Sequence, residues 1–171
     1  MPSNTYTLIA SSTVGAGGAS SIDFTSIPST YTDLCIKLSA RSNRSLEVDG
    51  IALRFNNDLT TGNYTGKRLY GSGSSAGSDS SASAMPFMDG NTSTTSVFGN
   101  AEIYIPNYAG STTKSASIDG VGENNATTVY MGLGALLWSG TSAINRVTIY
   151  PETGTLILQY STAYLYGLKS S

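Results

Sequence analysis

The 171-residue chain contains no histidine and a single cysteine, Cys35. Those absences exclude a Ser-His-Asp triad, a Cys-His dyad, a zinc site of several His or Cys ligands and an intrachain disulfide. Charge is scarce too: 12% of residues are Asp, Glu, Lys or Arg, against about 25% in an average domain. Nine basic and eleven acidic side chains leave a net charge of −2, so no global positive excess favours nucleic acid or an anionic membrane. Long hydrophobic runs are missing. The most apolar stretch, Val129 to Trp138, is interrupted by glycines and falls short of the roughly 18 residues of a membrane span. Met1-Pro2-Ser3-Asn4-Thr5 has no basic segment followed by an apolar one, so a soluble protein made in the cytosol, without a secretory signal, is expected. No cofactor or metal site is read either. Asn56-Asn57-Asp58 and the stretch Asp119 to Asn125 offer oxygen ligands, but neither has the D-x-[DN]-x-[DN]-G spacing of a calcium loop, and Asx-rich turns form without metal.

Serine and threonine make up more than a quarter of the chain, and 19 glycines accompany them. This is a polar, weakly charged surface on a chain long enough for one domain with its own core. N-x-S/T sequons begin at Asn43, Asn63, Asn91 and Asn125. Chance supplies about that many at this Ser/Thr content, and no glycosylation is read from them.

Apolar residues alternate at period two and form no useful helical pattern. Residues 34, 36, 38 and 40 make one apolar row while Lys37, Ser39 and Arg41 face the other way, the pattern of a half-buried strand. The same period marks 51–55, 101–105 and 147–150, each ending at a turn residue. Further strands are expected at 6–14, 21–24, 64–70, 114–121, 127–138, 156–160 and 163–168, separated by turn-forming Gly, Pro, Asn and Asp. About ten short strands imply an all-β, antiparallel β-sandwich of jelly-roll or Greek-key type, with a barrel as the lesser alternative. The strand 127–138 has Val129, Met131, Leu133, Ala135 and Leu137 on one face and Tyr130, Leu136 and Trp138 on the other. It is expected to be central, or covered on its outer face. The Ser/Gly-rich segment 71–84 has little to bury and reads as a flexible surface loop within one domain, 1–171.

Three acidic residues, Glu102, Asp119 and Glu123, lie on or beside expected strands, and a carboxylate pair is the minimum apparatus of a glycosidase. With one tryptophan, Trp138, and no sign of an aromatic cleft, they read as ordinary strand carboxylates and the chain as non-enzymatic. Six of nine cations fall between 37 and 68. If the strand at 34–41 pairs with those at 51–55 and 64–70, then Lys37, Arg41, Arg54 and Lys67 converge on one sheet face. Such a patch suits an acidic protein or a sulfated glycan, although ordinary solvated strand charges with Glu47, Asp49 and Asp58 nearby are the simpler explanation. Eleven tyrosines outnumber the other aromatics, with Tyr160, Tyr164 and Tyr166 clustered near the C-terminus. Tyrosine suits wet interfaces, so these three join the partner-contact candidates. Cys35, opposite the apolar row of its strand, reads as a reduced thiol with no histidine to activate it.

Several segments together resemble a known family. Tyr6-Thr7-Leu8-Ile9-Ala10-Ser11, Ile22-Asp23-Phe24-Thr25-Ser26-Ile27-Pro28, Arg68-Leu69-Tyr70-Gly71, Glu102-Ile103-Tyr104-Ile105-Pro106-Asn107-Tyr108, Leu137-Trp138-Ser139 and Gln159-Tyr160-Ser161-Thr162 resemble small virion structural proteins of tailed bacteriophages, especially those of cyanobacteria and other aquatic bacteria. The resemblance spans nearly the whole chain but rests on strand and turn motifs, which mark a fold and not an active site. It implies a β-sandwich that decorates or cements a capsid, or belongs to a tail or fibre assembly. The partners it implies are the major capsid protein or other virion proteins and further copies of the chain, with trimers favoured by shell symmetry. A receptor-binding module for host-surface glycans is the alternative.

Overall fold

Period-two alternation becomes strand almost wherever the sequence carries it. The computed structural model describes residues 5–81, 84–124 and 128–169. Its strands are β1 (Tyr6–Thr13), β2 (Ile22–Phe24), β3 (Asp33–Ala40), β4 (Val48–Phe55), β5 (Tyr64–Ser72) and β6 (Ser75–Ser81), followed by β7 (Ala84–Asp89), β8 (Gly99–Ile105), β9 (Lys114–Asn124), β10 (Thr128–Trp138), β11 (Val147–Pro151) and β12 (Thr162–Leu168). Helix among the described residues is one 3-10 turn, Thr61–Asn63. Thr127, expected to open a strand, and the Asn125 sequon lie outside the described residues.

The strands form two antiparallel sheets, ordered β1-β12-β3-β8-β9-β10-β5-β6 and β2-β11-β4-β7. Without the insertions β5–β6 and β9–β10, the two sheets reduce to β1-β12-β3-β8 and β2-β11-β4-β7. That is the strand order of an eight-stranded jelly roll. Both insertions join the same sheet beyond β8 and extend it sideways.

The core lies between the sheets. Leu34 and Ile36 of β3, Ile103 of β8 and Leu165 of β12 face Leu53 and Phe55 of β4 and Val147 and Ile149 of β11, all essentially inaccessible to water. Complete burial of such side chains contributes roughly 1.5–3 kcal/mol each.

The segment 71–84, expected as a flexible loop, is largely strand. Ser72 and Ser75 close a hairpin whose turn residue Gly73 has φ +55°, and β6 pairs with β5 from Gly66↔Ser81 to Ser72↔Ser75. The order comes from the backbone ladder and not from side-chain burial. Arg68 reinforces it, donating from Nε and Nη2 to the two carboxylate oxygens of Asp79 at 2.7 and 2.9 Å. Ala82 and Ser83 lie outside the described residues.

The expected strand at 156–160 does not form; Ile157 makes isolated bridges to Ala19 and Ser42. The chain instead turns through Leu158–Ser161, with the Ser161 amide donating to the Leu158 carbonyl.

β10 is central, as expected, between β9 and β5, yet its apolar row is not covered. Glycines decide this. On the inner face a Cβ at Gly132 would stand 2.9 Å from Pro86 Cβ, and one at Gly120 would stand 3.0 Å from the same atom. Only glycine lets β7 approach the β9–β10 hairpin so closely. With that face closed by Pro86 and Phe87 of β7, the alternate residues Val129, Met131, Leu133 and Leu137 point to solvent.

Candidate interaction face

Register aligns the outer face of the eight-stranded sheet into rows. One row runs Leu69, Leu133, Asp119, Glu102, Lys37, Tyr164 across β5, β10, β9, β8, β3 and β12. Its two halves differ in chemistry.

The polar half centres on the Lys37–Glu102 ion pair, which raises the lysine's affinity for its proton. Ser39, Asn100, Asp119, Thr162 and Tyr164 complete a shallow groove of about 270 Å³. Cys35 lies one row along, between its register partners Tyr104 and Tyr166. Burial first, and then the Glu102 carboxylate, pushes its thiol up to about 11. It is therefore a protonated, buried thiol at neutral pH, with little nucleophilicity. Tyr104 donates to Asp33 Oδ2 at 2.7 Å, a bond that, with burial, raises its hydroxyl to about 12.

The apolar half is built on the inserted strands. Leu69 is 61% exposed, Val129 57% and Leu133 52%, with Met131, Leu137 and Val121 also open to solvent. Leu69, Leu133 and Ala135 floor a concavity of about 560 Å³, and Lys67, Ser78 and Ser80 stand at its rim. Contiguous exposed apolar surface of this kind marks an interaction site more often than isolated residues do.

The four cations expected to converge do not. β3 pairs with β12 and β8, not with the strands at 51–55 and 64–70. Lys37 and Lys67 share a sheet but stand four strand spacings apart, about 19 Å. Arg54 lies on the other sheet, 4.8 Å over the Tyr150 ring. Arg41 is buried, with its guanidinium donating to the carbonyls of Asn91, Ser93, Thr94 and Val97. A jelly roll sends consecutive strands to opposite sheets, and this separation is what disperses the charges.

The tyrosines also part. Tyr164 is 40% exposed on the polar half, while Tyr166 is half-buried and meets Tyr6 edge to face at 6.1 Å. Tyr160 is 70% exposed on the turn before β12 with φ +72°. A bulky side chain at positive φ costs of order 1–3 kcal/mol. Replacing Tyr160 with glycine should therefore raise unfolding stability by about 0.5–1 kcal/mol, after glycine's own entropic cost. Denaturant midpoints test this, and a lower midpoint for the variant contradicts it.

Of the acidic residues, Glu102 and Asp119 are direct cross-strand partners in the groove. Glu123 instead accepts hydrogen bonds from the Thr94 amide and hydroxyl. Asp58, in the Asx-rich turn, accepts from the Thr60 amide, Asn63 Nδ2 and Trp138 Nε1. Among the described residues, no group of three His, Cys, Asp or Glu is gathered to hold a metal, and no helix is long and apolar enough to cross a membrane.

The exposed apolar half is the feature the sequence reading missed. Its signal was present in Gly120, Gly122, Gly132 and Gly134, which occupy the face opposite Val121, Met131 and Leu133. No family model, curated protein or solved structure matches the chain.

Proposed function

We propose that the protein is a non-enzymatic structural component of a tailed-phage virion, a capsid decoration or cement protein that stabilises the shell through repeated protein–protein contacts. The observation that carries this reading is the apolar half of the outer sheet face, displayed on strands inserted into a jelly roll. A rigid sheet presents it without an ordering cost at assembly. The resemblance of the strand and turn segments to phage virion proteins supports the same role. Each contact need be only of standard size, since repetition over a symmetric shell multiplies modest affinities. The protein then works in the virion, assembled in the host cytoplasm, with the major capsid protein and its own copies as partners. Co-sedimentation with purified undecorated capsids tests this: saturable binding at a fixed ratio per capsid subunit is expected, and absence of binding overturns it.

The groove favours a second reading, a tail-fibre or receptor-binding module for host-surface glycans. Tyr164 supplies an exposed ring beside Lys37, Asn100, Asp119 and Thr162, the combination of apolar face and hydrogen-bonding groups that sugars require. Calorimetry with host polysaccharide fragments distinguishes it. Heat of binding that Tyr164→Ala abolishes supports the glycan module, and none at millimolar sugar rejects it.

A further inference from the structure

The apolar half-face is self-complementary. β10 is its midline, with Leu69 of β5 on one flank and Val121 of β9 on the other. The charges beside it differ in sign from flank to flank. Lys67 of β5 stands beside Ala135, whereas Asp119 and Glu123 of β9 stand beside Leu133 and Val129.

We propose that this half-face packs on the same half-face of a second copy, about a two-fold axis running parallel to β10. That operation lays β10 on β10 and sets the β5 flank of each copy over the β9 flank of the other. This two-fold keeps each row, so Leu69 lies over the Asp119 row with Val121 one row away, and Lys67 lies over Ser117 with Asp119 one row away. Lys67 and Asp119 belong to adjacent rows, an offset of about 6.8 Å along the strand that a lysine stem spans. The other two-fold in the interface plane, across the strands, lays β5 on β5 and β9 on β9. It opposes like charges, which is disfavoured.

Area is sufficient. The overlap takes in β6, β5, β10 and β9 and, at its polar margin, β8 with Glu102, a plate of roughly 24 by 24 Å at 4.8 Å per strand and seven residues of 3.4 Å each. Its pleated surface approaches the roughly 800 Å² per partner of a standard interface. Sheets stack at about 10 Å with strands near −30°, a geometry open to two copies of one twisted sheet. β3, β12 and β1 lie beyond the overlap, so Lys37 and Tyr164 stay accessible in the pair. The pairing rests on the reading of this face as an assembly surface, and it names the occupant.

Sedimentation velocity of the full chain from about 1 to 100 μM, a range that covers ordinary self-association constants, is the test. A concentration-dependent dimer is expected. Leu133→Asp should weaken the dimer at least about 10-fold, and Leu133→Asn, which sets no second carboxylate opposite Asp119, should weaken it likewise while leaving the monomer's melting curve in place. Lys67→Glu and Asp119→Lys should each weaken it about 10-fold, and the double reversal should restore it to within about 3-fold. A chain that is monomeric throughout, an oligomer indifferent to Leu133→Asp, or a double reversal that fails to restore the dimer overturns the proposal. Capsid co-sedimentation in parallel separates the two claims. A dimer that ignores capsids supports the pairing and removes the particle role; a solution monomer that saturates capsids removes the pairing and keeps the role.

Discussion

Replacing Arg41 with methionine is expected to lower the stability of the fold by about 3–5 kcal/mol, the cost of breaking a buried charged network from one side. Its Nη1 donates to Thr94 O at 2.6 Å and Val97 O at 3.0 Å, and its Nη2 to Asn91 O at 3.1 Å and Ser93 O at 2.9 Å. Methionine fills part of the volume but leaves four carbonyls aimed at an apolar group, each orphan worth about 1–3 kcal/mol before water relieves it. The loss also depends on pH. Asp89 is held above its ordinary range by burial and by Glu123, against the amide of Glu123 and the charge of Arg41. Without Arg41 it rises further. A carboxyl raised in the native state favours folding at low pH, and that contribution is lost as pH rises through the native value. The variant should therefore lose less at about pH 5 than at pH 7, as urea unfolding at both values will show. A deficit under about 1 kcal/mol, far below the cost of a broken buried network, contradicts the structural role, and weakened capsid binding alone returns Arg41 to the interaction surface.

Trp138→Ala should cost about 3–5 kcal/mol, the range for removing a large buried aromatic. The ring is 4% exposed and stacks on Tyr64 at 6.5 Å while meeting Phe55 edge to face at 5.8 Å. It thereby ties β10 and β5 of one sheet to β4 of the other. Its Nε1 donates to Asp58 Oδ2 at 2.8 Å. Bonds from Asn63, Trp138 and Thr60 hold the Asp58 carboxyl well below the usual range. A depressed carboxylate stabilises the fold above its unfolded value of 3.8, and that contribution is lost as pH falls through the native value. Trp138→Phe, which keeps an apolar ring and loses the donor, should show a smaller loss than alanine and a shallower decline in acid. Equal losses for the two variants, or an unchanged acid limb, contradict the assigned role of the indole N–H.

Both residues illustrate where sequence reading stops. Arg41 alternates with the apolar row of β3 and so reads as solvent-facing, but the chain 91–97 returns over it and claims its donors. That closure is non-local, and no period in the sequence encodes it. Trp138, the one tryptophan, would serve a sugar site if exposed, and its burial follows from the pairing of Trp138 with Tyr64 across β10 and β5. By contrast, β3 and β8 were legible because their apolar rows face a single core. The antiparallel β-sandwich was legible from the number and spacing of such strands, whereas the jelly-roll strand order was not. β6 was not legible, since none of the residues 75–80 is buried and the strand owes its order to backbone bonds and the Arg68–Asp79 fork. Of the candidate contacts, Lys37 and Tyr164 do meet in one groove. Strand order, unreadable from the sequence, placed the other cations elsewhere.

The same logic inverts the usual meaning of alternation in β10. An apolar row implies a core only if the opposite row is polar. Here the opposite row already supplies the core side with Leu136 and Trp138 and admits Pro86 and Phe87 against Gly132, so the apolar row is left for a partner.

Electron microscopy of undecorated capsids incubated with the purified protein is the decisive test of capsid decoration. Extra density is expected at symmetry-related positions over the shell, saturating with added protein. Bare shells with density confined to tails, or no density on particles at all, would contradict it.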